Sequence, residues 1–171
     1  MQIKITGLDR VMKRIQDYRK SLEERQKQLL AELAKIGVDI ASARFSTAQY
    51  DGENDVQVSP VPEWVGDNRL FLTASGKAVT FIEFGTGVHY VEQHPNAAAL
   101  GMVRGTYGQG KGAQDSWGYY GEPGTNGRVV RETDKGPVVV THGNPPARAM
   151  YDAAKEMRSK IVDIAREVYR R

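Results

Sequence analysis

A chain of 171 residues with 40% hydrophobic and 26% charged residues has ordinary globular composition and the length of one domain, which excludes a wholly disordered tail. It contains no cysteine, which excludes a disulfide scaffold, a thiol nucleophile and any cysteine-based zinc or iron–sulfur site. No apolar run approaches the roughly 18–20 residues that span a bilayer. Met1-Gln2-Ile3-Lys4-Ile5 leads straight into an amphipathic pattern with no signal-peptide core. The expectation is a soluble chain made in the cytoplasm, with no membrane partner.

The formal charge of +3 is too weak to argue for nucleic acid without a concentrated patch. Its distribution is uneven. Residues 8–45 carry nine Lys/Arg against six Asp/Glu and residues 145–171 carry seven against four, whereas residues 46–144 carry seven against eleven. Two basic helical ends therefore flank an acidic middle, as suits a subunit that shows different faces to different partners, although solvated helix faces give the same tally.

In chain order, residues 2–6 alternate loosely and read as a short edge strand. Thr6-Gly7-Leu8-Asp9 resembles a capping box. Leu8, Val11, Met12, Ile15, Tyr18 and Leu22 then recur at spacings of three and four, the stripe of an amphipathic helix. A second capping pair, Ser21 with Glu24, interrupts the stripe before Leu29, Leu30, Leu33, Ile36, Ile40 and Phe45 resume it. Two helices are expected, about 7–20 and 22–46, or one continuous helix with a kink. Val56 and Val58 alternate before Pro60-Val61-Pro62, which ends a short strand because proline cannot donate to a ladder. The runs 69–73 and 77–84 are strand-like and flank Ala74-Ser75-Gly76, so a hairpin is expected there. A second hairpin is expected from 128–131 and 137–141 around Thr133-Asp134-Lys135-Gly136.

Residues 88–127 hold nine of the eighteen glycines and four of the eight tyrosines. A loop insertion of this length in a single 1–171 domain is usually functional or disordered. Tyr107, Trp117, Tyr119 and Tyr120 are its candidate interface residues, since exposed aromatics favour a partner surface. The expectation is a segment mobile in the free subunit and ordered on contact, or else folded back over its own sheet. Asn144-Pro145-Pro146 reads as a helix start, and Met150, Ala154, Met157, Ile161, Ile164 and Val168 mark a helix of roughly 146–170. The expected class is α+β: two N-terminal helices, a small mostly antiparallel sheet with the long Gly-rich loop, and a long C-terminal helix packed on the sheet.

Candidate chemistry is thin. His89, Glu92 and His94 form the one conceivable zinc set, with His142 near the second hairpin, but the spacing matches no zinc motif and solvent-exposed loop histidines are the simpler reading. Gly108-Gln109-Gly110-Lys111-Gly112 lacks the spacing and the hydroxyl of a phosphate loop. Gly85-Thr86-Gly87 leads to no predicted helix N-terminus. No nucleophile elbow is present. No catalytic, cofactor or metal residues are assigned, and the chain is read as a non-enzyme. A small hydrolase using the loop histidines is the enzymatic alternative. A nucleic-acid-binding module using the basic helices is the other, although Asp9, Asp17, Glu23 and Glu24 interrupt a phosphate-tracking stripe.

The segment that stands out is Phe81-Ile82-Glu83-Phe84-Gly85-Thr86-Gly87, a hydrophobic run delivered into a turn whose glycines are free to take positive φ. Together with Ile3-Lys4-Ile5-Thr6-Gly7-Leu8-Asp9 at the start and Asn144-Pro145-Pro146-Ala147-Arg148-Ala149-Met150-Tyr151-Asp152-Ala153-Ala154 near the end, it resembles the head–tail joining or tail-completion (neck) proteins of long-tailed double-stranded-DNA bacteriophages. The resemblance covers nearly the whole chain except 88–136. Two departures are Ala147, where the family often has an aromatic, and the longer loop. The resemblance implies a structural virion protein without catalysis, assembled in the host cytoplasm as a homo-oligomeric ring between the connector or head-closure protein and the tail. Genome DNA would pass through its lumen without specific binding, past the acidic middle. Gly85, Thr86 and Gly87 are expected to be a structural turn, with the glycines needed for backbone conformation.

Overall fold

The computed structural model describes residues 7–90, 92–104, 106 and 114–170; the expected edge strand at 2–6, Thr6 and Tyr107 lie outside them. Helix α1 (Leu8–Ser46) runs without a break, so the two expected N-terminal helices are one. The capping pair at Ser21 and Glu24 does not end it, because the surrounding Leu, Glu, Arg, Gln and Lys residues are strong helix formers. An Arg19–Glu23 ion pair at i,i+4 spans the expected interruption.

Residues 57–75 form one long interrupted hairpin. Strand β1 (Gln57–Val58) pairs antiparallel with β4 (Ala74–Ser75), and β2 (Glu63–Trp64) pairs with β3 (Leu70–Phe71). Pro60 and Pro62 separate the two ladders, and the register shifts by two residues across them, as expected where ladder donors are missing. The expected hairpin between 69–73 and 77–84 is therefore corrected. The returning strand is 70–75, its partner lies upstream, and Val79–Phe84 is helix α2.

The reason is visible in the sequence pattern. Residues 78–84 are apolar at five of seven positions, in a run too short for period to separate strand from helix. A tertiary contact decides. The Asp55 carboxylate accepts the backbone N–H groups of Lys77 at 2.7 Å and Ala78 at 2.9 Å, satisfying donors that a helix start leaves unpaired. Ala78 and Ile82, one turn apart, are then buried on the same side.

Strands β5 (Trp117–Tyr120), β6 (Arg128–Thr133) and β7 (Gly136–Thr141) make an antiparallel sheet in the order β5-β7-β6. The β6–β7 hairpin stands as expected, with a bulge between Val129 and Arg131. Part of the 88–127 segment packs against the chain's own sheet. Ala98–Leu100 make a short 3-10 turn, and 117–120 supply β5, which is held along β7.

Helix α3 (Ala149–Arg170) begins three residues later than expected and packs antiparallel against α1, not on the sheet. Arg44 pairs with Asp152 at one end and the Arg25 guanidinium reaches the Tyr169 carbonyl at the other. The core gathers Ala41 and Phe45 of α1, Ala78 and Ile82 at α2, and Ala149 and Ala153 of α3, with Val56, Val58 and Leu72 of the long hairpin packed against it. The three helices, rather than a sheet, provide the central packing. Among the described residues no helix is long and apolar enough to cross a membrane.

The two Asp55 contacts hold its carboxyl below its ordinary value of 3.8, the Lys77 N–H first and the Ala78 N–H second. A lowered folded-state value means that stabilisation is complete above about pH 4 and is lost as pH falls through that lowered value. Asp55→Asn is therefore expected to lower Tm at neutral pH, with the deficit against wild type shrinking progressively below pH ~4; thermal melts from pH 7 to pH 2 check this.

Candidate functional site

The buried carboxylate of Glu83 organises the centre of the molecule. It stands near the end of α2, 6% exposed, facing the start of α3. Its Oε2 accepts the Met150 N–H at 2.9 Å and its Oε1 accepts the Tyr151 N–H at 3.0 Å. These are first-turn donors of α3, so a side chain from another helix does the work expected of Asn144. The backbone returns the arrangement, since Ala147 donates to the Ile82 carbonyl at 2.8 Å and Arg148 to the Glu83 carbonyl at 3.3 Å. The C-terminus of α2 and the N-terminus of α3 thus satisfy each other.

His94 completes the group. Its Nδ1 accepts the Asn96 N–H at 3.1 Å, which leaves Nε2 carrying the proton that it donates to Glu83 Oε1 at 3.1 Å. The ring is held between Phe84, at 4.5 Å between centroids, and Tyr151, edge-on at 5.4 Å. His94 is 3% exposed, which corrects the reading of it as a solvent-exposed loop histidine.

The Gly85-Thr86-Gly87 turn crosses the segment leading into α3. Thr86 donates its N–H to the Asn144 carbonyl at 2.9 Å, and its Oγ1 accepts the Asn144 N–H at 3.0 Å. Gly85 and Gly87 have φ of 81° and 80°, in the left-handed region that favours glycine. A Cβ on Gly87 would stand 2.3 Å from the His142 carbonyl oxygen, and one on Gly85 would stand 2.9 Å from that of Asn144. The turn is shaped by backbone approach to backbone.

A second buried carboxylate, Asp51, ties the sheet to this junction. Oδ1 accepts the N–H groups of Asn126 at 2.6 Å and Gly127 at 2.9 Å, and Oδ2 accepts the Thr141 hydroxyl. The Asn126 amide in turn donates to Asn144 Oδ1 at 3.0 Å. Of the candidate interface aromatics, Trp117 and Tyr119 are half-buried on one side of β5, while Tyr120 points the other way and is exposed. The Tyr119 hydroxyl donates to the Glu122 carbonyl at 2.8 Å. Burial, then the charge of Asp51 and the neighbouring Tyr50, push its pKa up to about 12.

The structure separates the histidines that the sequence brings together. His94 faces Glu83, whereas His89 lies on Asp115 Oδ1 at 2.9 Å, with His142 Nδ1 on the Asp115 carbonyl at 3.0 Å. Asp115 was not singled out in the sequence, since a lone loop acid carries no pattern. Among the described residues no group of three such side chains has metal-holding geometry. An open cleft of about 460 Å³ lies beside the Glu83 group, lined by Leu72, Phe84, Leu100, Met150, Tyr151 and Arg158. Its lining includes Glu83 and His94, which are hydrogen-bonded to each other. Comparison with known proteins finds no matching family model, no similar curated protein and no similar solved structure.

Glu83→Gln keeps the shape but leaves one helix-start N–H facing an amide NH2, so a loss of about 1.5–3 kcal/mol is expected, the range for a hydrogen bond to a charged acceptor. Gly87→Val places a branched side chain at positive φ against a carbonyl and is expected to cost at least about 1–3 kcal/mol. Urea unfolding with an unchanged m-value checks both; wild-type midpoints would show that neither position is structural.

Proposed function

We propose that this chain is a structural subunit of a phage or prophage neck, a ring-forming tail-completion protein that joins the head connector to the tail and carries no catalysis. The observation that supports it most is that two of the three stretches carrying the resemblance are a single structural unit. Glu83, Thr86 and the positive-φ glycines of 81–87 are engaged with residues 142–151. The distinctive string thus consists of helix-end and turn chemistry, which suits a scaffold that must hold its shape under load better than it suits a reaction site. The carboxylates Asp51, Asp55 and Glu83 accept backbone N–H groups, so three acids of the acidic middle serve as internal ties.

Co-production with connector and tail proteins, read by light scattering and negative-stain imaging, tests this reading. Rings, alone or in the presence of those partners, are the expected outcome. A strict monomer both alone and in the mixture would refute it. A titration with duplex DNA at 50 and 200 mM salt separates the nucleic-acid reading, which requires tight, steeply salt-dependent binding.

A further inference from the structure

Helix α1 is far longer than the helix that covers it. The Arg25 contact to Tyr169 marks where α3 ends, so among the described residues Leu8 to Glu24 extend about 25 Å beyond any helical neighbour at 1.5 Å per residue. Every residue from Leu8 to Lys20 is exposed. That arm nonetheless carries an apolar stripe, Leu8, Val11, Met12, Ile15 and Tyr18, each 49–65% exposed. The stripe leads through Leu22 and Leu29 to the buried Leu33, so it extends the face that packs the helix onto the core. Its flanks are basic, with five Lys/Arg against two Asp in residues 8–20.

A surface of opposite character lies on the long hairpin. Val61, Trp64, Val65 and Phe71 are 42–75% exposed there. From Thr47 to Asn68 the chain has five carboxylates and no Lys or Arg, and of these only Asp51 is buried. The arm cannot reach this surface in its own molecule. The hairpin tip meets α1 at Lys27, through Asp67, below the arm, and an unbroken helix does not fold back.

We infer that the N-terminal arm of α1 docks on the β2–β3 hairpin of a second copy of this chain, head to tail, with its apolar stripe on the face that carries Val61, Val65 and Phe71 and its basic flanks against Glu53 and Glu63. Two arms packed on each other would bring like-charged flanks together, whereas arm on hairpin joins opposite charges around an apolar centre. A head-to-tail contact uses two different faces, so it propagates and can close only as a ring. The inference rests on the ring-subunit reading above and names the surfaces that would build the ring.

Two full-length variants test it by sedimentation velocity: Ile15→Glu, which spoils the arm, and Val61→Lys, which spoils the hairpin, with Glu63→Lys as a second hairpin variant and circular dichroism as the check of fold. Each alone is expected to self-associate about tenfold more weakly or worse. An equimolar mixture of Ile15→Glu with Val61→Lys is expected to form a one-to-one heterodimer and nothing larger, because one intact arm still meets one intact hairpin. A mixture that stays monomeric while wild type assembles would overturn the assignment of faces and leave the ring reading standing, as would variants that assemble like wild type. A wild type that remains monomeric alone would also overturn the inference, and the neck reading then rests on co-assembly with connector and tail proteins.

Discussion

A single carboxylate shared between two helix ends is the constraint on which the arrangement depends. Glu83 sits at the end of a six-residue helix and supplies the acceptors that the first turn of α3 needs, while the main chain before α3 supplies donors for the last carbonyls of α2. A helix as short as α2 has no stability of its own, since nucleation costs more than so few hydrogen bonds return. It persists because Asp55 satisfies its start, α3 satisfies its end, and Ile82 is buried between them. Moving either neighbour would expose buried polar groups at the same time as apolar ones, and the two costs reinforce each other.

From this junction the other parts acquire their positions. The crossing of Thr86 with Asn144 fixes where the chain leaves β7, and Asn126 with Asp51 fixes where it enters β6. The sheet is attached to the helical core through side-chain acceptors and backbone donors more than through a shared apolar interface. Its outer strand β6 is charged, with Arg128, Arg131 and Glu132 and a bulge beside them, a pattern that discourages addition of a further strand on that edge.

The elements legible in the sequence are those whose signal is local. The 3.6-residue stripe gave α1 and α3 to within a few residues, and Thr133-Asp134-Lys135-Gly136 gave the β6–β7 hairpin. Asp55, Asp51 and Glu83 were opaque because each caps a partner 22 to 90 residues away, a relation that no local pattern encodes. That is why Val79–Phe84, apolar at four of its six positions with no clean period, reads as strand and folds as helix. His94 was misread for the same reason: its burial depends on Glu83, Phe84 and Tyr151, elements apart in the chain. Gly85 and Gly87 were legible as turn residues, but the close backbone crossing that demands them belongs to the three-dimensional arrangement.

The distances spanned by these caps govern how the chain acquires its structure during synthesis. Helix α1 can form as soon as it leaves the ribosome, because its bonds are local. The ties from Asp51 and Glu83 must wait until Thr141 and Tyr151 have emerged, 90 and 68 residues later. Contacts so remote in sequence form slowly and cooperatively, after the loop-closure entropy has been overcome. A nascent chain carrying α1 and the long hairpin but not yet α3 shows its apolar helix face to solvent for the seconds that translation takes at about 5–20 residues per second, an interval in which chaperone binding competes with premature association between neighbouring chains.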